Sequence, residues 1–126
     1  MYYPDDLKYT REHEWLRVEG DEAIIGITAY AQGELGEVVF VDMDTEGETL
    51  SAGERFGTIE AVKTVSDLFM PVNGTVLEVN QILSSVPNVI NKDPYGEGWM
   101  VRIKLNNPAD VDGLMSAAEY KEIVAT

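Results

Sequence analysis

The chain has 126 residues, 44% apolar and 25% charged, with a formal net charge of −14 from 23 acids and nine bases. This length and composition specify one globular domain large enough to bury a core without staples, and the acid excess argues against phosphate backbones and anionic lipid as partners. The lack of cysteine and the single histidine, His13, exclude a disulfide framework, a thiolate nucleophile and a His-rich zinc centre.

The opening residues, M-Y-Y-P-D-D-L-K, have neither the basic-then-apolar pattern of a signal peptide nor the Arg/Ser richness of a transit peptide. No apolar run is long enough to cross a bilayer. The expectation is a soluble, cytoplasmic protein. Trp15–Val18 reads as a short strand, Glu19-Gly20-Asp21 as a turn and Ala23–Ile27 as a buried strand. Thr28 is placed to cap a short helix over Ala29–Leu35, with Gly36 as its stop. Val38–Val41 is apolar throughout, which predicts a strand covered on both faces.

Asp44–Gly53 is rich in turn residues and predicts an edge strand at best. Two β-prone runs then flank Lys63, and the second ends in Pro71-Val72-Asn73-Gly74. The Asn-Gly pair predicts a further tight hairpin into a returning strand over Thr75–Val79. Asn80 is placed to cap a turn of helix through Leu83. A Pro/Gly loop, N-K-D-P-Y-G-E-G-W, precedes the strand Met100–Leu105. In the tail, Ser116 and Glu119 have capping-box spacing, with Met115 and Tyr120 as a hydrophobic staple. Tyr120, Ile123 and Val124 share one helical face. The fold class is mainly β, a small sandwich or barrel with short peripheral helices and a C-terminal helix.

Catalytic motifs are missing: there is no nucleophile elbow, no H-E-x-x-H, no phosphate-binding glycine loop and no calcium-loop spacing. What remains is Lys63, the only basic residue between Phe56 and Asn91. Its flanks predict a hairpin, yet Val62-Lys63-Thr64 has none of the Asn, Asp or Gly that a tight turn prefers. Such conflict between local chemistry and architecture marks functional sites. A surface lysine that only solvates is the bland reading. A Schiff-base catalyst would need burial and a lowered pKa, which a hairpin tip denies. The tip suits a lysine that another enzyme finds and acylates, so that it carries a cofactor. With the turn centred on Lys63, Glu60 is expected opposite Ser66, with Asp67 close by in an acidic collar.

K-Y-T-R-E-H-E-W, I-G-I-T-A-Y-A-Q-G-E-L-G-E-V-V-F-V, F-G-T-I-E-A-V-K-T-V-S-D-L, P-V-N-G, D-P-Y-G-E-G-W and the closing A-E-Y resemble, in order, the motifs of the H proteins of the glycine cleavage system. The resemblance covers nearly the whole chain. It implies a single H-protein domain over residues 1–126 with a lipoyl-binding core over 22–104, in the barrel-sandwich hybrid fold of lipoyl and biotinyl carriers. It further implies lipoate in amide linkage on Lys63, Glu60 and Gly74 as marks for lipoylation, and Glu14 and Asp67 as acids lining a cleft for the loaded arm. Gly74 as plain turn geometry and Glu14 as a solvated strand acid are the alternatives.

The implied role is a non-catalytic, monomeric carrier with no metal. It would take an aminomethyl group from the PLP-dependent glycine decarboxylase (P protein) to the tetrahydrofolate-dependent aminomethyltransferase (T protein), and be reoxidised by dihydrolipoyl dehydrogenase (L protein). Lipoate-attaching enzymes would be further partners. The same carrier could instead serve lipoate relay or sulfur-compound oxidation. A biotin carrier is disfavoured, because its lysine is flanked by methionines and Lys63 is flanked by Val62 and Thr64. The departures from the family pattern are Thr64-Val65 after the lysine and the apolar pair Phe69-Met70.

Overall fold

Two sheets enclose the core. The computed structural model describes residues 2–125, so the first and last residues of the expected domain lie outside the described region. The strands are β1 (Lys8–Tyr9), β2 (Glu14–Glu19), β3 (Glu22–Ile27), β4 (Val38–Asp42), β5 (Thr49–Leu50), β6 (Arg55–Ala61), β7 (Val65–Phe69), β8 (Gly74–Val79) and β9 (Val101–Leu105). The larger sheet runs β1-β2-β3-β9-β8-β5 and the smaller β4-β6-β7, every pairing antiparallel. Leu16, Ile25, Ile27, Phe56, Ile59 and Ile103 are among the buried residues that pack between the sheets.

The strand alternation explains which side chains enter the core. In β6, Phe56, Ile59 and Ala61 are buried while Glu60 is exposed. Gly57 breaks the simple alternation beside a register shift in the β6–β7 pairing. Helix α1 (Ala29–Leu35) forms where the capping chemistry dictates: the Thr28 hydroxyl accepts from the Ala31 amide, and Gly36 ends the helix at a φ of 79°. The tail helix α4 (Ala117–Val124) carries the complete capping box of Ser116 and Glu119.

A second cluster of Tyr3, Leu7, Tyr9, Trp15, Ala117 and Tyr120 seals the outside of the larger sheet. Trp15 stands opposite Gly26 across the β2–β3 ladder. A Cβ on Gly26 would lie 2.6 Å from the indole, so only glycine lets the ring lie flat there. The indole N–H donates to the Pro94 carbonyl at 3.0 Å, which satisfies its one polar group in a fully buried site.

Five expectations need correction. Val38–Val41 is not covered on both faces: β4 is an edge strand paired only with β6, and a register shift between Val38 and Phe40 turns Val39 and Phe40 outward while Val38 and Val41 stay buried. Asn73-Gly74 makes no hairpin, because β7 and β8 belong to different sheets. Instead the Asn73 side chain accepts from the Ala52 amide at 2.7 Å and its carbonyl from the Asn106 amide at 3.2 Å, pinning the crossover between sheets. On α4, Ile123 is exposed, so of the three expected residues only Tyr120 and Val124 face the aromatic cluster, joined there by Ala117. The fourth is the register of the lysine hairpin, where Glu60 pairs with Val65. Helices α2 (Ile82–Ser85) and α3 (Val89–Lys92), and the 3-10 helix Pro108–Gly113, lie in stretches too short to show a period. Helix α2 has Gln81, not Asn80, at its N-cap, although the Asn80 side chain accepts from the Ile82 amide and its NH2 bridges the Glu97 and Trp99 carbonyls.

Candidate functional site

Lys63 sits at the tip between β6 and β7, exposed and without an ion pair among the described residues. The turn is closed by the Ala61 amide donating to the Thr64 carbonyl at 2.8 Å, and is tied to the start of β4 by the Val62 amide donating to the Glu37 carbonyl at 3.1 Å. No non-glycine residue at the tip has a positive φ. The scaffold therefore holds β-branched residues in a turn without left-handed backbone, and Asn or Gly is not required.

The register differs from the expectation. Glu60 pairs with Val65 and Ile59 with Ser66, so the turn centres between Val62 and Lys63. A one-residue slip exchanges the faces: Glu60 shares the outward face with Val65 and Asp67, while Ser66 belongs with the inward row. Asp67 pairs with Thr58, whose hydroxyl donates to its carboxylate at 3.1 Å. Arg55 lies within 4 Å of Asp42, Asp44 and Asp67. The collar thus divides into Asp67, engaged by Arg55, and Glu60, which has no hydrogen-bond or ion-pair partner among the described residues.

Beside the hairpin runs a cleft of about 360 Å³ bordered by Glu14, Ile27, Ala31, Leu35, Asp67 and Leu68, among others. Asp67 stands four residues from Lys63, roughly 13 Å of extended chain. Glu14 is not a solvated acid: it is 2% exposed. One carboxyl oxygen accepts from the Phe69 amide at 3.2 Å, the other from the Thr10 hydroxyl at 3.5 Å. Burial pushes its pKa up to about 8, against the opposing pull of the Phe69 amide. Near neutral pH the carboxyl is largely protonated, and a cation brought within about 4–6 Å would favour the carboxylate. Glu14 and Phe69 also border a wider groove of about 550 Å³ lined by Tyr9, Met70, Pro71 and Met115. Asp67 does not line that groove, whereas it lines the smaller cleft together with Ser66, Leu68 and Phe69 of the hairpin.

Gly74 is buried in the larger sheet, where a Cβ would meet the Lys104 carbonyl at 2.7 Å. The structure places it at the crossover, not beside Lys63. A feature that sequence patterning misses is His13, the only described non-glycine residue with a positive φ, at 66°. It borders the cleft, its Nδ1 lies 2.8 Å from the Tyr120 hydroxyl, and that hydroxyl lies 2.8 Å from Thr28 Oγ1. Tyr120 thereby ties α4 to the cap of α1 and to the cleft wall. No sequence period signals a strained histidine, although backbone strain of this kind clusters at functional sites.

A two-sheet barrel-sandwich hybrid with a lysine at the tip of an exposed hairpin defines a protein of the lipoyl-carrier fold. The glycine cleavage H-protein family model matches residues 7–126. A glycine cleavage system H protein of Bacteroides fragilis is 60% identical over 124 residues, 98% of each chain. One from Symbiobacterium thermophilum is 56% identical over 117 residues, 93% of this chain and 91% of the relative. The crystal structure of a glycine cleavage system H protein from Mycobacterium marinum superposes with a TM-score of 0.89 at 39% identity, covering 98% of this chain and 100% of that one. The chain belongs to the glycine cleavage H-protein family.

Proposed function

We propose that this protein is the lipoyl-carrying shuttle of a glycine cleavage system, with lipoate in amide linkage on Lys63. The observation that carries the reading is the exposed Lys63, unpaired among the described residues, at the tip of the small sheet on a chain of this family. The residues fit the group: the amine is free for acylation, and the adjacent cleft combines apolar walls with one buried carboxyl. When attached, the dithiolane would supply a disulfide whose S–S bond opens to carry an aminomethyl group on one sulfur with a thiol on the other, and which is restored by reoxidation after release.

In this reading the chain's own residues hold, shelter and present the arm. Glu60 supplies an anionic mark three residues before the lysine for the lipoate-attaching enzyme. Gly74 contributes indirectly, by allowing the close approach to Lys104 that fixes where the chain crosses between sheets. Ile27, Ala31 and Leu35 give the arm an apolar bed, and Glu14 and Asp67 border it with acids that favour an ammonium. Residues 22–104 form the lipoyl-binding core, and the flanking segments supply the aromatic seal. The partners in this reading are the glycine decarboxylase, the aminomethyltransferase and dihydrolipoyl dehydrogenase. Among the described residues no helix is long and apolar enough to cross a membrane.

Intact-mass measurement on protein isolated from its native host is expected to show one lipoyl adduct, absent in Lys63→Ala. An unmodified lysine under lipoate-replete conditions would sink the carrier reading. Glycine–bicarbonate exchange by the decarboxylase is expected to require the lipoylated protein. No stimulation by the loaded protein would move the assignment to lipoate relay or sulfur-compound oxidation.

A further inference from the structure

The outward face of the small sheet is organised in rows. Phe40 pairs with Glu60 and Glu60 with Val65, so these three side chains stand side by side across β4, β6 and β7. One step further from the tip, Asp42, Thr58 and Asp67 form the second row. The second row is satisfied internally: Arg55 reaches both of its acids, and Thr58 donates to Asp67. The first row is not. Phe40 is 55% exposed and Val65 61% exposed, and the carboxylate between them has no partner among the described residues.

The exposure is built by the backbone. The irregularity between Val38 and Phe40 keeps Val38 buried while turning both Val39 and Phe40 to the outside. Val62 at the tip, 68% exposed, extends the same apolar surface to the lysine. A strand that spends a bulge to expose a phenylalanine beside an unpaired acid presents a surface with a shape and a charge. Its complement is a cation flanked by apolar side chains.

We propose that the row Phe40–Glu60–Val65 is the docking surface for the enzyme that acylates Lys63, which presents a basic side chain to Glu60 and apolar contacts to either side. The inference rests on the carrier reading above and adds the apolar shoulders to it. The choice of occupant follows from reach. Before acylation the reacting atom is the lysine Nζ, so the attaching enzyme must close over the tip and cannot avoid the adjoining row. Enzymes that act on the carried group meet it at the far end of a long arm and need not touch these residues. Charge agrees: Arg55 is committed to the second row, and no other described base pairs with Glu60, so the cation must come from the partner.

The test uses the unlipoylated full-length protein, a lipoate ligase, free lipoate and ATP, with loading read by intact mass. Phe40→Ala is expected to lower kcat/KM for loading by about ten-fold, and Val65→Thr, which keeps strand propensity, by a smaller factor. Leu77→Ala, an exposed apolar residue on β8, serves as the control and is expected to load at the wild-type rate. Once loaded, the Phe40→Ala protein is expected to be reduced and reoxidised by dihydrolipoyl dehydrogenase as the wild type is. Wild-type loading rates in both row variants would overturn the proposal. An equal loss in loading and in the dehydrogenase step would also overturn it, by making the row a general contact. Failure of the wild-type protein to be loaded would instead strike the carrier reading itself.

Discussion

The two sheets divide the work of the molecule. The larger sheet is covered on one side by the shared core and, at its β1–β2 end, by the ring of Tyr3, Tyr9, Trp15 and Tyr120. Its buried polar atoms are paired: the Trp15 indole finds Pro94, the Tyr9 hydroxyl finds Pro4, and the Tyr120 hydroxyl lies between Thr28 and His13. The smaller sheet faces the same core on one side but leaves the other open, with Val39, Phe40, Val62 and Val65 exposed and Glu60 and Lys63 unpaired among the described residues. One sheet is finished as a fold. The other keeps an open face of apolar side chains around a carboxylate and a lysine.

The sharpest way to break that division is a pair of substitutions with opposite outcomes. Lys63→Ala is expected to abolish the lipoyl adduct and all shuttle activity while leaving the thermal midpoint where it was, since the side chain is exposed and has no partner among the described residues. Trp15→Ala is expected to do the reverse. It empties a fully buried indole site and orphans the Pro94 carbonyl, costing about 3–5 kcal/mol. Under conditions where that variant remains folded, its Lys63 should still be loaded. Denaturant unfolding and intact mass on the same samples decide the matter. A large stability loss in Lys63→Ala, or a loading defect in folded Trp15→Ala, would show that the sheets are not independent.

Glu14 sits where the two regions meet: it belongs to β2 of the larger sheet, yet its carboxyl accepts from Phe69 on the hairpin. Its folded pKa of about 8 lies above the ordinary 4.5 because burial penalises the charge. The native state therefore binds more protons than the unfolded state between these two values. Stability falls as pH rises through that window and levels off above pH 8. Glu14→Gln removes the titration, so the variant should be less pH-sensitive between about 4.5 and 8. At pH 8 it should exceed the wild type in stability by an amount on the order of a few kcal/mol. Urea midpoints measured across that range test this, and parallel wild-type and variant curves would show that Glu14 does not titrate there. Bound aminomethyl cargo should narrow the difference, because an ammonium beside the carboxylate offsets the desolvation.

Much of the architecture was legible because it rests on local chemistry. Thr28 and Gly36 bracket α1, Ser116 and Glu119 open α4, and Gly20 turns β2 into β3, each by rules that need only neighbouring residues. What stayed hidden depends on pairing partners. The Val38–Val41 run reads as doubly covered, but a bulge against β6 turns half of it outward. Asn73-Gly74 has hairpin chemistry, yet the chain there changes sheets and the Asn73 carboxamide secures the crossover. The hairpin register differs by one residue from the expected pairing because the tip residues carry no turn signal of their own. For the site, the identity of Lys63 stood out from its isolation among acids and its misfit with the turn. The burial of Glu14 and the strain at His13 could not be read, since both arise from the packing of α1, β7 and α4 around them.

Gly74 offers the finest cut between the two regions. The family resemblance casts it as a lipoylation mark, but it is buried in the larger sheet, with the Lys104 carbonyl 2.7 Å and the Ile103 methyl 3.1 Å from where a Cβ would stand. A buried position cannot be touched by a docking enzyme without unfolding, so its influence on loading must pass through the placement of the crossover. Gly74→Ala is expected to force β8 and β9 apart locally and to cost about 1–3 kcal/mol. Loading of the folded fraction should stay within about two-fold of wild type, well short of the ten-fold scale of a direct hot-spot contact. Loading rates normalised to the folded fraction, beside denaturant midpoints, measure both effects. A loading defect at unchanged stability would mean that the attaching enzyme reads Gly74 directly. It would also mean that the larger sheet takes part in a recognition that the exposed row Phe40–Glu60–Val65 otherwise carries alone.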